Sequence, residues 1–166
     1  MTVIVPVAQC TPRELEELLA ARELVIAVGE GELRGASAAA ILFAGWSVLC
    51  DGAMIVLDTP AAWAGAAWRI GDRAYKLWLA GATAFGAASA FDAGLCDAIA
   101  PTGCDPVAWV REWIGARSDV ALDSAAMLIQ QRGGDALERA EFARLFAAGE
   151  PQKGLSAFLE KRAPRF

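Results

Sequence analysis

Gly29-x-Gly31-x-x-x-Gly35 lies between an apolar run and a stretch of small residues, where backbone N–H groups can gather an anion. Asp51 stands roughly twenty residues further on, where a dinucleotide fingerprint has its acidic partner. Two carboxylates, Glu30 and Glu32, sit inside that loop, and the final spacing is one residue longer than the usual fingerprint. A dinucleotide site on Gly29, Gly31 and Gly35 is therefore kept only as an alternative. Asp58, just before Thr59-Pro60, has the setting of a helix N-cap or Asx-turn residue. There is no histidine, which removes Ser-His-Asp and Cys-His catalysis and the commonest metal ligand together. Cys10, Cys50, Cys96 and Cys104 form no C-x-x-C pair and read as buried or half-buried thiols in a reducing cytoplasm, with no metal expected.

The elements that would carry these residues can be read from the pattern. Val3 to Val7 is a β-branched run and predicts a strand. Thr11, Pro12 and Glu14 make a capping box with proline at the first helical position. Leu15, Leu18 and Leu19 give that helix one apolar face. Leu24 to Val28 predicts a second strand, and Ala36 to Ala44 a helix of small residues suited to close packing. Trp46 to Cys50 and Ala53 to Leu57 flank Asp51-Gly52, a turn pair that predicts a hairpin. From Pro60 the texture becomes helical. Segments 72–80, 86–93, 105–115, 118–131, 135–147 and 151–161 are separated by Gly or Pro, and a short strand is expected within 95–100.

The chain has 166 residues, 56% of them hydrophobic and 21% charged, enough for one globular domain. A net charge of -5 argues against non-specific nucleic-acid binding, which needs a basic face. The longest uncharged run, Gly35 to Cys50, is too short to span a bilayer, and the N-terminus lacks a signal-peptide pattern. A cytoplasmic location and no membrane are the expectations.

The tail reads Glu141-Phe-Ala-Arg-Leu-Phe and then Gly149-Glu-Pro-Gln-Lys-Gly-Leu-Ser-Ala-Phe-Leu-Glu-Lys-Arg-Ala-Pro-Arg-Phe166. It resembles the C-terminus of the crotonase (enoyl-CoA hydratase/isomerase) family. Leu79-Ala-Gly81 followed by Gly94-Leu-Cys-Asp97 resembles that family's "Leu-Thr-Gly … Gly-Leu-Val-Asp" segment. Leu24 to Ala36 resembles its "Pro-Val-Ile-Ala-Ala-Val-Asn-Gly" strand and glycine triplet. The resemblance implies an α/β fold: a truncated crotonase-like core of short strands and helices over 1–100 and a helical C-terminal region over 101–166, together one domain, 1–166.

What the resemblance implies for chemistry depends on where the chain departs from it. The family's oxyanion hole has one N–H from an "Ala-Gly-x-Asp" segment, and nothing like it precedes Thr11. The second N–H maps to Gly35, flanked by Arg34 and Ala36 instead of glycines, and a helix-start N–H can stabilise a developing enolate. Ala8 and Gln9, just after the first strand, are the candidates for the other N–H. Of the two hydratase carboxylates, one maps to Ala38 and the other to or beside Asp58. One carboxylate serves a double-bond shift better than hydration, because a single base can remove and return a proton. Phe158 and Lys161 match positions that touch the adenine and phosphates of CoA in the family. Trp63, Trp68 and Trp78 are candidates for an acyl-binding wall, or for core or subunit contact.

The implied function is an acyl-CoA-binding enoyl-CoA isomerase or hydratase with Asp58 as base and Gly35 as oxyanion donor. No cofactor is implied beyond the CoA carried by the substrate. The alternative is a catalytically inactive crotonase-like subunit assembling with a complete paralogue. Either way the implied partners are an acyl-CoA thioester and other subunits, as a homo-oligomer (trimer or hexamer) or a hetero-oligomer.

Overall fold

The chain enters through strand β1 (Val3–Pro6) and helix α1 (Pro12–Ala20). Thr11 caps α1 as its sequence dictates: its side chain accepts from the Glu14 N–H, and the Glu14 carboxylate accepts from the Thr11 N–H at 2.7 Å. Leu15 is buried and Leu18 half-buried, while Leu19 is exposed, so the apolar face is narrower than the three leucines suggest. The computed structural model describes residues 2–21, 23–115, 117–130 and 134–166. The last residue of the segment expected helical over 118–131 lies outside them. Two compact units result, one of Ile4–Ala21 and Val25–Trp109, the other built on Val110–Phe166.

In the first unit, β2 (Val25–Gly29) is buried at every position, the mark of a central strand in a parallel sheet. A short strand β3 (Glu32–Leu33) follows, then α2 (Gly35–Phe43), β4 (Trp46–Cys50) and β5 (Met54–Val56). Next come α3 (Pro60–Ile70), α4 (Asp72–Leu79), β6 (Ala84–Gly86), α5 (Ala87–Ala93), β7 (Ala98–Ala100) and α6 (Pro106–Gly115), which runs into the second unit. Strands order as β1-β2-β4-β7 in one sheet, with β2, β4 and β7 parallel. A second sheet orders as β3-β5-β6, with β3 and β5 parallel and β6 antiparallel.

The expected hairpin at Asp51-Gly52 is therefore a correction. Both strands exist, but β4 has β2 on one side and β7 on the other, so neither edge is left for β5. Gly52, at a φ of 83°, turns the chain out of the first sheet and into the second.

Small residues let α2 lie close to its neighbours. A Cβ on Gly65 of α3 would come within 2.6 Å of the Leu42 Cβ, and one on Gly29 within 2.5 Å of Leu33 Cδ1. Leu33, Ile41, Leu42, Leu49, Ile55 and Leu57 are fully buried around α2, each worth roughly 1.5–3 kcal/mol of transfer free energy. The second unit holds α7 (Asp119–Gln130), α8 (Asp135–Ala147) and α9 (Glu150–Leu159), with Ser118 and Lys153 on the buried Glu150 carboxylate.

Candidate functional site

The pairing of β3 with β5 builds the site. Leu33 lies opposite Ile55 in parallel register, so the two strands leave the small sheet in the same direction. Arg34 and Gly35 follow β3 directly, and Asp58 comes two residues after the end of β5. The chain ends thus converge at the start of α2, where the Gly35 N–H donates to Asp58 Oδ1 at 3.0 Å. Arg34 Nη1 donates to Asp58 Oδ2 at 3.2 Å, and Arg34 Nε to the Glu32 carboxylate. Asp58 is not the cap of α3. That role falls to Thr59, whose side chain accepts from the Ala62 N–H.

These contacts set the electrostatics. The Gly35 N–H first of all holds the Asp58 carboxyl below the usual carboxylate value; burial opposes it, and Arg34 adds to the lowering. Arg34 is held above its ordinary value by Glu32 first and Asp58 second. A cation at a helix N-terminus is unfavourable alone, and the two carboxylates offset it. Glu32 is therefore an ion-pair partner, while Glu30 accepts from the Cys50 thiol at 3.4 Å. Burial, then the Glu30 contact, pushes the Cys50 thiol up to about 12, and burial pushes Cys96 up to about 11. Among the described residues no group of three or more Cys, Asp or Glu is arranged to hold a metal ion.

The turn carrying Ala8 and Gln9 is brought to the first turn of α2, because the Cys10 N–H donates to Ser37 Oγ at 2.9 Å. Ala38 is fully buried in the apolar core, so its position carries no titratable group and faces no solvent. Between β2 and α2 the chain forms β3 rather than one tight glycine turn. Phe158 and Lys161 lie in the other compact unit, at the end of α9. Phe158 is 78% exposed, not a core residue, and its carbonyl accepts from the Lys161 N–H at 3.1 Å. Trp63 is half-buried against the core, Trp68 packs on Phe43 with ring centroids 6.3 Å apart, and Trp78 stacks on Tyr75 at 6.1 Å.

One half-buried residue escapes sequence reading. Arg69, with its side chain only 7% exposed, donates to the carbonyls of Ile41, Leu42 and Ala44 at the end of α2 and pairs with Asp97 at 3.0 Å. Its faint signal is a single cation in the last turn of an otherwise apolar α3.

Solved structures share this arrangement of strands and helices. An enoyl-CoA hydratase from Polaromonas sp. JS666 superposes with a TM-score of 0.75 at 24% identity, covering 92% of this chain and 66% of that one. DspI of Pseudomonas aeruginosa gives 0.71 at 24% identity over 92% and 64%. This chain has the crotonase fold. A Bacillus anthracis enoyl-CoA hydratase agrees, at a TM-score of 0.73 and 20% identity over 93% and 66%. The chain spans just under two thirds of the length of each of these crotonase-fold proteins. No family model matches the sequence, and no curated protein matches it either. Among the described residues no helix is long and apolar enough to cross a membrane.

Proposed function

We propose that this chain is an acyl-CoA-binding protein of the enoyl-CoA hydratase/isomerase class whose chemistry is double-bond isomerisation. The observation that carries the reading is the meeting of one carboxylate, Asp58, with one helix-start N–H, Gly35, beside an alanine where a second acid would be needed. In that chemistry Asp58 takes a proton from the carbon between the double bond and the thioester carbonyl. The dienolate oxygen is held by the Gly35 N–H, and the Asp58 carboxylic acid returns the proton at the far end of the conjugated system. Water is not consumed, so the absence of a second acid at Ala38 costs nothing. Phe158 and Lys161 are proposed to meet the adenine and phosphates of CoA, the lysine as a point charge. Four free cysteines fit a cytoplasmic home.

A second reading is an inactive subunit that assembles with other crotonase-fold chains. It is favoured by the exposed apolar side chains of the second unit, Phe142, Phe146, Leu155 and Leu159 among them, which subunit contact would cover. Titration calorimetry with acetyl-CoA and a longer enoyl-CoA, alongside a spectroscopic assay of a β,γ-enoyl-CoA, tests both. Conjugation of the double bond by the wild type and not by Asp58→Ala supports the isomerase. Binding without turnover supports the subunit. Failure of both ligands to bind removes acyl-CoA from the function.

A further inference from the structure

The proposed base and the proposed oxyanion donor are already bonded to each other. Gly35 has one N–H, and Asp58 Oδ1 accepts it at 3.0 Å, the place that a thioester oxygen would need. A carboxylate on a helix-start N–H is itself a good oxyanion analogue, negatively charged and aimed at the positive end of the α2 dipole. Its second oxygen rests on Arg34, which in turn is held by Glu32. We infer that Asp58 is a displaceable latch, which closes the Gly35 N–H until a thioester carbonyl replaces it.

Arg34 is what makes release feasible. Bonded to Oδ2, it keeps hold of the carboxylate after Oδ1 lets go of Gly35, so Asp58 turns aside without entering solvent as an unpaired charge. The released carboxylate has lost the contact that chiefly lowers its pKa, so substrate entry makes Asp58 a stronger base. One exchange of hydrogen bonds thus frees the oxyanion donor and arms the base. No covalent bond changes in this step. Arg34 at the start of α2 bonds the latch directly, Glu32 of β3 reaches it through Arg34, and Thr59 at the start of α3 lies beside Gly35.

This inference rests on the acyl-CoA reading above, and two ligands separate the fates of the two. CoA itself carries no thioester carbonyl, whereas a saturated acyl-CoA carries one and cannot isomerise. Calorimetric titrations of wild type, Asp58→Asn and Asp58→Ala with both ligands are the test. Asp58→Ala leaves the N–H open, so acyl-CoA should bind roughly five- to tenfold more tightly, the worth of a charge-assisted hydrogen bond discounted for partial exposure. Asp58→Asn keeps a weaker, neutral acceptor and should fall between. Affinity for CoA should not change in either variant. In amide NMR spectra the Gly35 N–H should move upfield in Asp58→Ala and return on adding acyl-CoA, a response that a merely structural cap does not give. Acyl-CoA affinity that is unchanged or weaker in both folded variants, with CoA still bound, overturns the latch and leaves the acyl-CoA reading standing. Loss of binding to both ligands in the wild type overturns the two together.

Discussion

Leu33, Ile41, Leu42, Leu49 and Ile55 of the α/β unit are fully buried, whereas Phe142, Phe146, Leu155, Phe158 and Leu159 of the helical unit stand exposed. Apolar content alone does not separate the two regions; side-chain size and neighbours do. In the first, alanines and glycines bring α2 and α3 close together so that branched side chains pack between them. In the second, α8 buries none of its side chains, and Phe142 packs on Phe146 with ring centroids 4.5 Å apart on an open surface. One unit closes its core within the chain. The other presents the kind of apolar face that subunits cover.

The contrast can be broken by substitution. Leu42→Ala cuts a fully buried side chain at the contact of α2 with α3 and should destabilise the α/β unit by about 3 kcal/mol, read from the denaturant midpoint. Arg69→Met should cost about 2 kcal/mol by leaving the carbonyls at the end of α2 without their charged donor. Equal stability in that variant would show that water or backbone adjustment satisfies these carbonyls. Thr11→Ala removes a helix cap and should cost about 1 kcal/mol in urea unfolding at pH 7.

Acid should act through the same capping box. Glu14 is held below its ordinary value, first by the Thr11 N–H and then by the Thr11 hydroxyl. With a folded value below the unfolded one, its contribution is complete above the unfolded carboxylate value and is lost as pH falls through the folded one. The stability gap between wild type and Glu14→Gln should therefore narrow from pH 7 to pH 3. The smallest effect belongs to the helical unit. Phe142→Ser should change stability by less than about 0.5 kcal/mol as a surface substitution, yet lower the sedimentation coefficient if that face joins subunits. A large loss of stability with no change in assembly would instead make Phe142 part of a core.

The periodic and punctuated parts of the fold were legible in the sequence. The capping box at Thr11, the buried run at β2 and the segments of α4 to α9 all follow from local pattern. The start of helix α3 at Thr59-Pro60 is legible but its extent is not, because its alanines and tryptophans lack a clear polar face, and β6 is hidden because three residues give too little period. The partners of β4 and β5 are not legible locally, because Asp51-Gly52 specifies a turn but not which strand lies across it. That choice depends on β7, roughly fifty residues later in the chain. At the candidate site, Asp58 and Gly35 could be named from the resemblance, but their bond to each other could not. It depends on the register of two very short strands.

Helix α2 contains no charged residue, and both of its ends are completed by later parts of the chain: Asp58 at the start, Arg69 and through it Asp97 at the finish. A ribosome making this protein delivers the helix well before the groups that close it. Until Asp58 and Arg69 have emerged, α2 has both ends open and leans on its neighbours for shelter. The order of synthesis therefore leaves an interval in which the helix is made but not closed, and that interval ends with the arrival of α3 rather than with the helix itself.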